Sequence, residues 1–180
     1  MMCRAPRKIC AVVPAAGGPI TQFTGALLAH RCAMGFKHIL VATDFSAGAE
    51  RASELALELA QEFDAQLTLV HAWEVPTYGY AGDLYFPSDL ETPLENAAHT
   101  ELARACEALH AKWSRTTALL RMGAAWQEIL SVVEQTHSDL IVLGTHGRRG
   151  LSRVLLGSVA ERVVRLATVP VLTVHSSTPV

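Results

Sequence analysis

Residues 38–71 read HILVATDFSAGAERASELALELAQEFDAQLTLVH, and the ends of this stretch differ from its middle in the period of their apolar residues. His38-Ile39-Leu40-Val41-Ala42 and Leu67-Thr68-Leu69-Val70-His71 are short, mostly aliphatic runs, the composition of strands buried on both faces. Between them Ala52, Leu55, Ala56, Leu59, Ala60 and Phe63 recur at i, i+3, i+4, i+7, i+8 and i+11, with Glu50, Arg51, Glu54, Glu58 and Glu62 in the gaps. That spacing predicts an amphipathic helix with one face on a core. A strand, a helix and a strand in this order make a parallel pair joined by a crossover, so the stretch reads as a βαβ unit.

The same alternation runs on toward the C-terminus. A loop rich in Pro, Gly and Tyr spans about residues 75–89, and a helix over about 91–112 repeats Leu94, Ala98, Leu102, Ala105 and Leu109 on one face. Residues 116–121 predict a third strand, Trp126, Ile129, Leu130 and Val133 another helical face, and Leu140-Ile141-Val142-Leu143 a fourth strand. A last helix buries Ala160, Val163, Val164 and Ala167, and Val171-Leu172-Thr173-Val174 is the fifth strand. The expectation is an α/β fold with a Rossmann-like open five-stranded parallel sheet and helices on both faces. Ligands of such sheets bind at the carboxyl ends of the strands, where strand order reverses. That edge carries Thr43-Asp44-Phe45-Ser46, Ala72-Trp73-Glu74 and the loop that begins at Gly144.

Toward the N-terminus the character of the chain changes. Residues 1–33 hold Arg4, Arg7, Lys8 and Arg31 without an acidic residue, and Pro6, Pro14, Pro19, Gly17, Gly18 and Gly25 break any apolar period. They read as an N-terminal extension, disordered or upstream of the true start at Met34, with 34–180 as the folded domain. A secretory signal and an organellar transit peptide are the other readings, the first opposed by Pro14 and Gly17-Gly18, the second by the absence of serine. The 180 residues are 50% hydrophobic and 18% charged with a net charge of −2, enough for one full core and unlike a nucleic-acid binder. No stretch approaches the roughly 18 apolar residues of a membrane span. Cys106 is the lone cysteine of the body, which agrees with a cytoplasmic protein, and neither CxxC nor HxxxH occurs to hold a structural metal.

The most informative segment follows the fourth strand. Gly144-Thr145-His146-Gly147 is followed after nine residues by Gly157-Ser158, and Ser158 opens a helix whose unpaired N–H groups and positive dipole end favour an anion. Glycines let backbone curl around a phosphate, and Arg148, Arg149 and Arg153 add positive charge, so the loop suits a diphosphate or triphosphate. The spacing is neither GxxxxGK nor GxGxxG. A tight turn with a helix cap accounts for the glycines alone, and a helix-entry cap shared with Ser46 is the other, lesser reading of Asp44.

The residues as a set resemble the universal stress protein family over about Met34 to Val174. ILVATDFS lies at the first strand, LTLVHAWE at the second, HSDLIVLGTHGRRG at the fourth, then LLGSVAERVVRLATVPVLTV. The pattern G-x2-G-x9-G-S is that of the nucleotide-binding branch of the family. The resemblance implies strand order 3-2-1-4-5, with the cleft between the first and fourth strands and ATP as ligand, for which micromolar binding, about −8 kcal/mol, calls for Mg²⁺ as well. It implies Asp44 as acceptor on the sugar or adenine side, the Ala72 backbone at the adenine and a ring-lining contact from Leu143. Gly144, Gly147, Gly157, Ser158 and Val159 would surround the phosphates, with His146 and Arg148 close by. It also implies a homodimer through the last strand, Val169–Val174.

Function then reads as ATP-binding regulation in a stress response, with a non-nucleotide-binding homodimeric scaffold as the alternative. Three or four charge-assisted hydrogen bonds contribute about 5–12 kcal/mol against an association cost of about 4–15 kcal/mol, so the phosphate loop needs an adenine pocket beside it. Enzyme readings fare worse. Gly150-Leu151-Ser152-Arg153-Val154 fails the nucleophile-elbow pattern at its last position, and no base or arginine finger is marked, so at most slow ATP hydrolysis is expected. Gly123 is followed by Ala124-Ala125-Trp126 where many family members have Gly-x-Pro, so the start of that helix is expected to differ.

Overall fold

The computed structural model describes residues 10–13, 35–74, 78–80, 83–85, 88–145 and 157–175. In chain order the elements are β1 (Cys10–Val13), β2 (His38–Ala42), α1 (Ala47–Phe63), β3 (Gln66–Trp73), β4 (Tyr78–Tyr80) and β5 (Asp83–Tyr85). There follow α2 (Ser88–His110), β6 (Thr116–Met122), α3 (Ala125–Thr136), β7 (Leu140–Gly144), α4 (Ser158–Leu166) and β8 (Val171–Val174). The main sheet runs β1-β8-β7-β2-β3-β6 with every pair parallel. Apart from β1, its five strands β6-β3-β2-β7-β8 stand in the expected order 3-2-1-4-5.

Period-2 alternation sorts each strand's side chains between two cores. Ile39, Val41, Leu67, Leu69 and Val142 pack with Ala52, Ala56 and Ala60 of α1 and Leu102 and Leu109 of α2. Leu40, Val70, Ile141 and Leu143 pack on the opposite face with Ile129 and Val132 of α3 and Ala160 and Val163 of α4. Small residues bring α1 close to the sheet: a Cβ on Gly144 would lie 3.0 Å from the Gly48 carbonyl carbon and 3.2 Å from the Ala49 nitrogen.

The amino ends of the strands are clamped. Asp139 accepts from the Lys37 and His38 backbone N–H groups at 2.8 and 3.1 Å, while its own N–H donates to the His38 carbonyl at 2.9 Å. The half-buried His38 ring lies between the Thr136 carbonyl, 2.9 Å from Nδ1, and Thr68 Oγ1, 2.7 Å from Nε2. A carbonyl only accepts, so Nδ1 carries the proton and Nε2 accepts from Thr68. Burial holds this imidazole below its ordinary value, against the Thr136 bond and the Asp139 charge.

Two segments differ from expectation. Residues 1–33, read from the sequence as an unstructured extension, contribute a sixth strand, with Cys10 opposite Val171 and Val13 opposite Val174. Four apolar residues are too few to register a period, and β1 runs along the edge row of β8 backbone groups that would otherwise be open. Residues 75–89, read as a loop, contain the antiparallel pair β4–β5 and the first residues of α2. Strands of three residues likewise show no alternation.

Candidate functional site

Strand order reverses between β2 and β7: the chain moves from β2 to β3 on one side and from β7 to β8 on the other. Ala42 stands opposite Leu143, so Thr43 and Gly144 continue side by side from strands about 4.8 Å apart.

The turn after β2 is held by short-range bonds. Phe45 N–H donates to Thr43 Oγ1 at 3.0 Å, and Asp44 Oδ1 accepts from Ser46 N–H at 3.1 Å and Ser46 Oγ at 2.6 Å. Ser46 is the N-cap of α1, its hydroxyl accepting from Ala49 N–H at 3.3 Å. Asp44 therefore braces the start of α1 while it also lines the cleft. Phe45 has φ +61°, left-handed backbone that costs a residue with a Cβ about 1–2 kcal/mol. Its ring lies 4.4 Å from the His71 ring, centroid to centroid.

β3 outlasts β2 at this edge. Paired residues end at Ala42 opposite Val70, beyond which Thr43 N–H donates to the Val70 carbonyl at 2.9 Å. The next acceptor, the Thr43 carbonyl, lies 2.8 Å from Nδ1 of the buried His71. Along β3, backbone groups alternate in direction. Gln66 N–H donates to Lys37 and the Val70 carbonyl accepts from Thr43 on the β2 side, whereas Leu67 N–H donates to Arg115 and the Trp73 carbonyl accepts from Gly123 on the β6 side. Ala72, two residues beyond Val70, thus turns its N–H and C=O toward the side that β2 has left. A cavity of about 420 Å³ opens there, lined by Asp44, Phe45, His71, Ala72, Trp73 and Glu74 and by α2 through Leu94, Ala97, Ala98 and Glu101. Of its three carboxylates among the described residues, Glu101 pairs with Arg104 at 2.8 Å.

On the β7 side the chain forms a neck. Thr145 N–H donates to the Val174 carbonyl at 2.9 Å, and the Thr145 carbonyl accepts from Gly157 N–H at 2.7 Å. Thr145 and Gly157 thus stand side by side, with α4 starting there. Gly157 is the N-cap of α4 and makes no side-chain capping bond, so the first-turn N–H groups after it carry the positive end of the helix dipole to this edge. The Gly157 N–H itself belongs to the neck.

The sequence-derived site residues divide as follows. Asp44 and Ala72 share the cavity. Gly144 lies at the end of β7 against α1, and Gly157, Ser158 and Val159 lie at the start of α4. Leu143 is 3% exposed and packs in the core with Val70 and Ala160 rather than among the cavity-lining residues. His146, Gly147 and Arg148 lie outside the described residues. Among the described residues no three His, Cys, Asp or Glu side chains converge on a cation position.

The model of the universal stress protein family matches residues 35–175. The chain belongs to the universal stress protein family. A universal stress protein of Thermus aquaticus is 39% identical over 140 residues, covering 78% of this chain and 99% of that one. The solved structure of protein MJ0577 of Methanocaldococcus jannaschii superposes with a TM-score of 0.66 at 25% identity, covering 81% of this chain and 100% of that one. A universal stress protein in complex with cAMP shares the fold at TM-score 0.60 and 23% identity, over 80% of this chain and 100% of that one.

Within this universal stress protein domain, sequence reading put Thr43, Phe45 and Trp73 on the binding edge without a role and missed His71 as part of the site. No period marks them. The one local signal is that His71 is a polar residue near the carboxyl end of a mostly aliphatic strand. Gly123 stands just before α3. It has φ +143°, donates to the Trp73 carbonyl at 2.9 Å, and precedes an Ala124 N-cap without a side-chain bond.

Proposed function

We propose that this universal stress protein is an adenine-nucleotide-binding regulatory protein of the stress response, with ATP as its ligand. The observation that carries the reading is the Ala72 backbone edge opening into the cavity that Asp44 lines. One N–H donor and one C=O acceptor from a single residue complement the acceptor nitrogen and exocyclic amine on the pairing edge of adenine. Guanine presents the opposite polarity at those atoms. In this reading Asp44 accepts from the ribose. The first turn of α4, with Ser158 and Val159, and the glycines of the G-x2-G-x9-G-S pattern receive the phosphates. Mg²⁺ arrives with the phosphates, because the protein brings no ligand set of its own among the described residues. The adenine nucleotide cAMP in a protein of the same fold supports the capacity of the fold, not the affinity of this chain.

The protein acts by occupancy rather than turnover, with at most slow hydrolysis, and the bound state alters the surface that partners meet at this edge. The Cys106 thiol is pushed up by burial and by the neighbouring Glu107, which keeps it from serving as a nucleophile. Among the described residues no helix is long and apolar enough to cross a membrane, and we assign the protein to the cytoplasm. A homodimer formed through Val169–Val174 uses the β8 edge that β1 occupies, so assembly displaces Cys10–Val13.

Calorimetric titration of the full chain with Mg-ATP tests the reading. Micromolar binding, about −8 kcal/mol, is expected, and Gly157→Glu removes it by placing bulk and negative charge where the phosphates sit. A folded wild type that binds no nucleotide would leave the homodimeric scaffold as the function.

A further inference from the structure

The Thr43 carbonyl stands at the junction between sheet and site. In a parallel ladder a residue that donates its N–H to one partner accepts, at its carbonyl, from the N–H two residues further along the same neighbour. Thr43 donates to Val70, so the ladder's next bond would run from Ala72 N–H to the Thr43 carbonyl. The His71 side chain takes that carbonyl, with Nδ1 at 2.8 Å. Because a carbonyl only accepts, Nδ1 is the protonated nitrogen. Phe45, in left-handed backbone two residues on, lies against the same ring and carries the chain away from β3.

We propose that His71 is a positioning residue that keeps the Ala72 edge open for the base by occupying the carbonyl that would otherwise close on it. The inference rests on the adenine-nucleotide reading and adds to it the residue that sets base discrimination. His71 does this without touching the ligand: its bond to Thr43 stops the β2–β3 ladder at Ala42 opposite Val70 and directs Asp44 over the cavity. Without the Nδ1 donor, the Thr43 carbonyl takes the Ala72 N–H and zips the cleft shut by one pair.

Titration of the full chain with Mg-ATP and Mg-GTP, in wild type, His71→Leu and His71→Asn, tests this. The Asn amide nitrogen is two bonds from Cβ, as Nδ1 is, and restores the donor. Wild type is expected to favour ATP by about tenfold or more. His71→Leu brings the two nucleotides within about threefold of each other, and His71→Asn keeps the preference. A merely loosened fold weakens both nucleotides alike, so an unchanged ratio in His71→Leu, or failure of His71→Asn to keep it, overturns the proposal. Amide hydrogen exchange at Ala72 needs no ligand: it is expected to slow about tenfold in His71→Leu and to remain fast in His71→Asn. If wild type binds neither nucleotide, the adenine reading fails by itself. Exchange at Ala72 then decides for His71, slowing in the Leu variant upholding its role in the ladder and no change overturning it.

Discussion

The two ends of the central strands use the same chemical device to opposite effect. At the amino end His38 gives its Nδ1 proton to the Thr136 carbonyl, and at the carboxyl end His71 gives its own to the Thr43 carbonyl. Around His38 the sheet is closed: Asp139 ties β2 to β7, Thr68 ties β3 to β2 through His38 and to β6 through Thr117, and His38 stands in register with Gln66. Around His71 the sheet is opened, because the side chain takes a bond that the backbone would otherwise make. A buried imidazole is thus neither structural nor functional by type. The role is set by whether its bond completes a ladder or interrupts one.

The difference predicts that changes at the amino end alter stability and leave ligand affinity alone, and that changes at the carboxyl end do the reverse. Gly144 breaks the rule with the largest effect. Gly144→Val drives new atoms into the Gly48 backbone and should cost about 3 kcal/mol of stability, read as a lowered urea midpoint. Asp139→Ala leaves the Lys37 and His38 N–H groups without their carboxylate and should cost about 1–2 kcal/mol, with Mg-ATP affinity unchanged by calorimetry. Asp44→Asn keeps an oxygen for Ser46 but removes the charge, and should weaken Mg-ATP about tenfold, roughly 1.4 kcal/mol, with little change in urea midpoint.

The smallest effect is one of pH. His38 is held below its ordinary value of 6.5 by burial, so the unfolded chain binds a proton that the folded chain resists. Its contribution to stability is complete above about pH 6.5 and declines as the pH falls through that value toward the lower folded one. Urea midpoints across pH 5–8 should show that decline in wild type and a shallower one in His38→Asn, which keeps the donor to Thr136 but does not titrate.

Legibility followed the range of the signal. α1 was readable from the 3.6-residue recurrence of Ala52, Ala56 and Ala60, although its start at Ala47 depends on the Ser46 cap rather than on that period. β2, β7 and β8 were readable as aliphatic runs, and the glycine spacing marked Gly144 and Gly157, which the structure places at the end of β7 and the start of α4. Leu143 was legible as part of β7, a strand buried on both faces, and the structure packs it in the core. β1 was illegible because its partner lies more than 150 positions away, at Val171–Val174.

The sequence by itself determined the order of strands and helices along the chain and the glycine and serine positions at the start of α4, while the strand order in the sheet, and with it the switch point, was what the family resemblance implied. The first two depend on neighbours two to four residues apart, or on a spacing along one loop. Only the tertiary structure decided that Thr43 ends its ladder on a side chain, that Ala72 turns its backbone into the opening, and that Cys10–Val13 lies on β8. A backbone carbonyl is satisfied by whichever donor reaches it first in space, and the donor that reaches Thr43 is 28 positions along the chain.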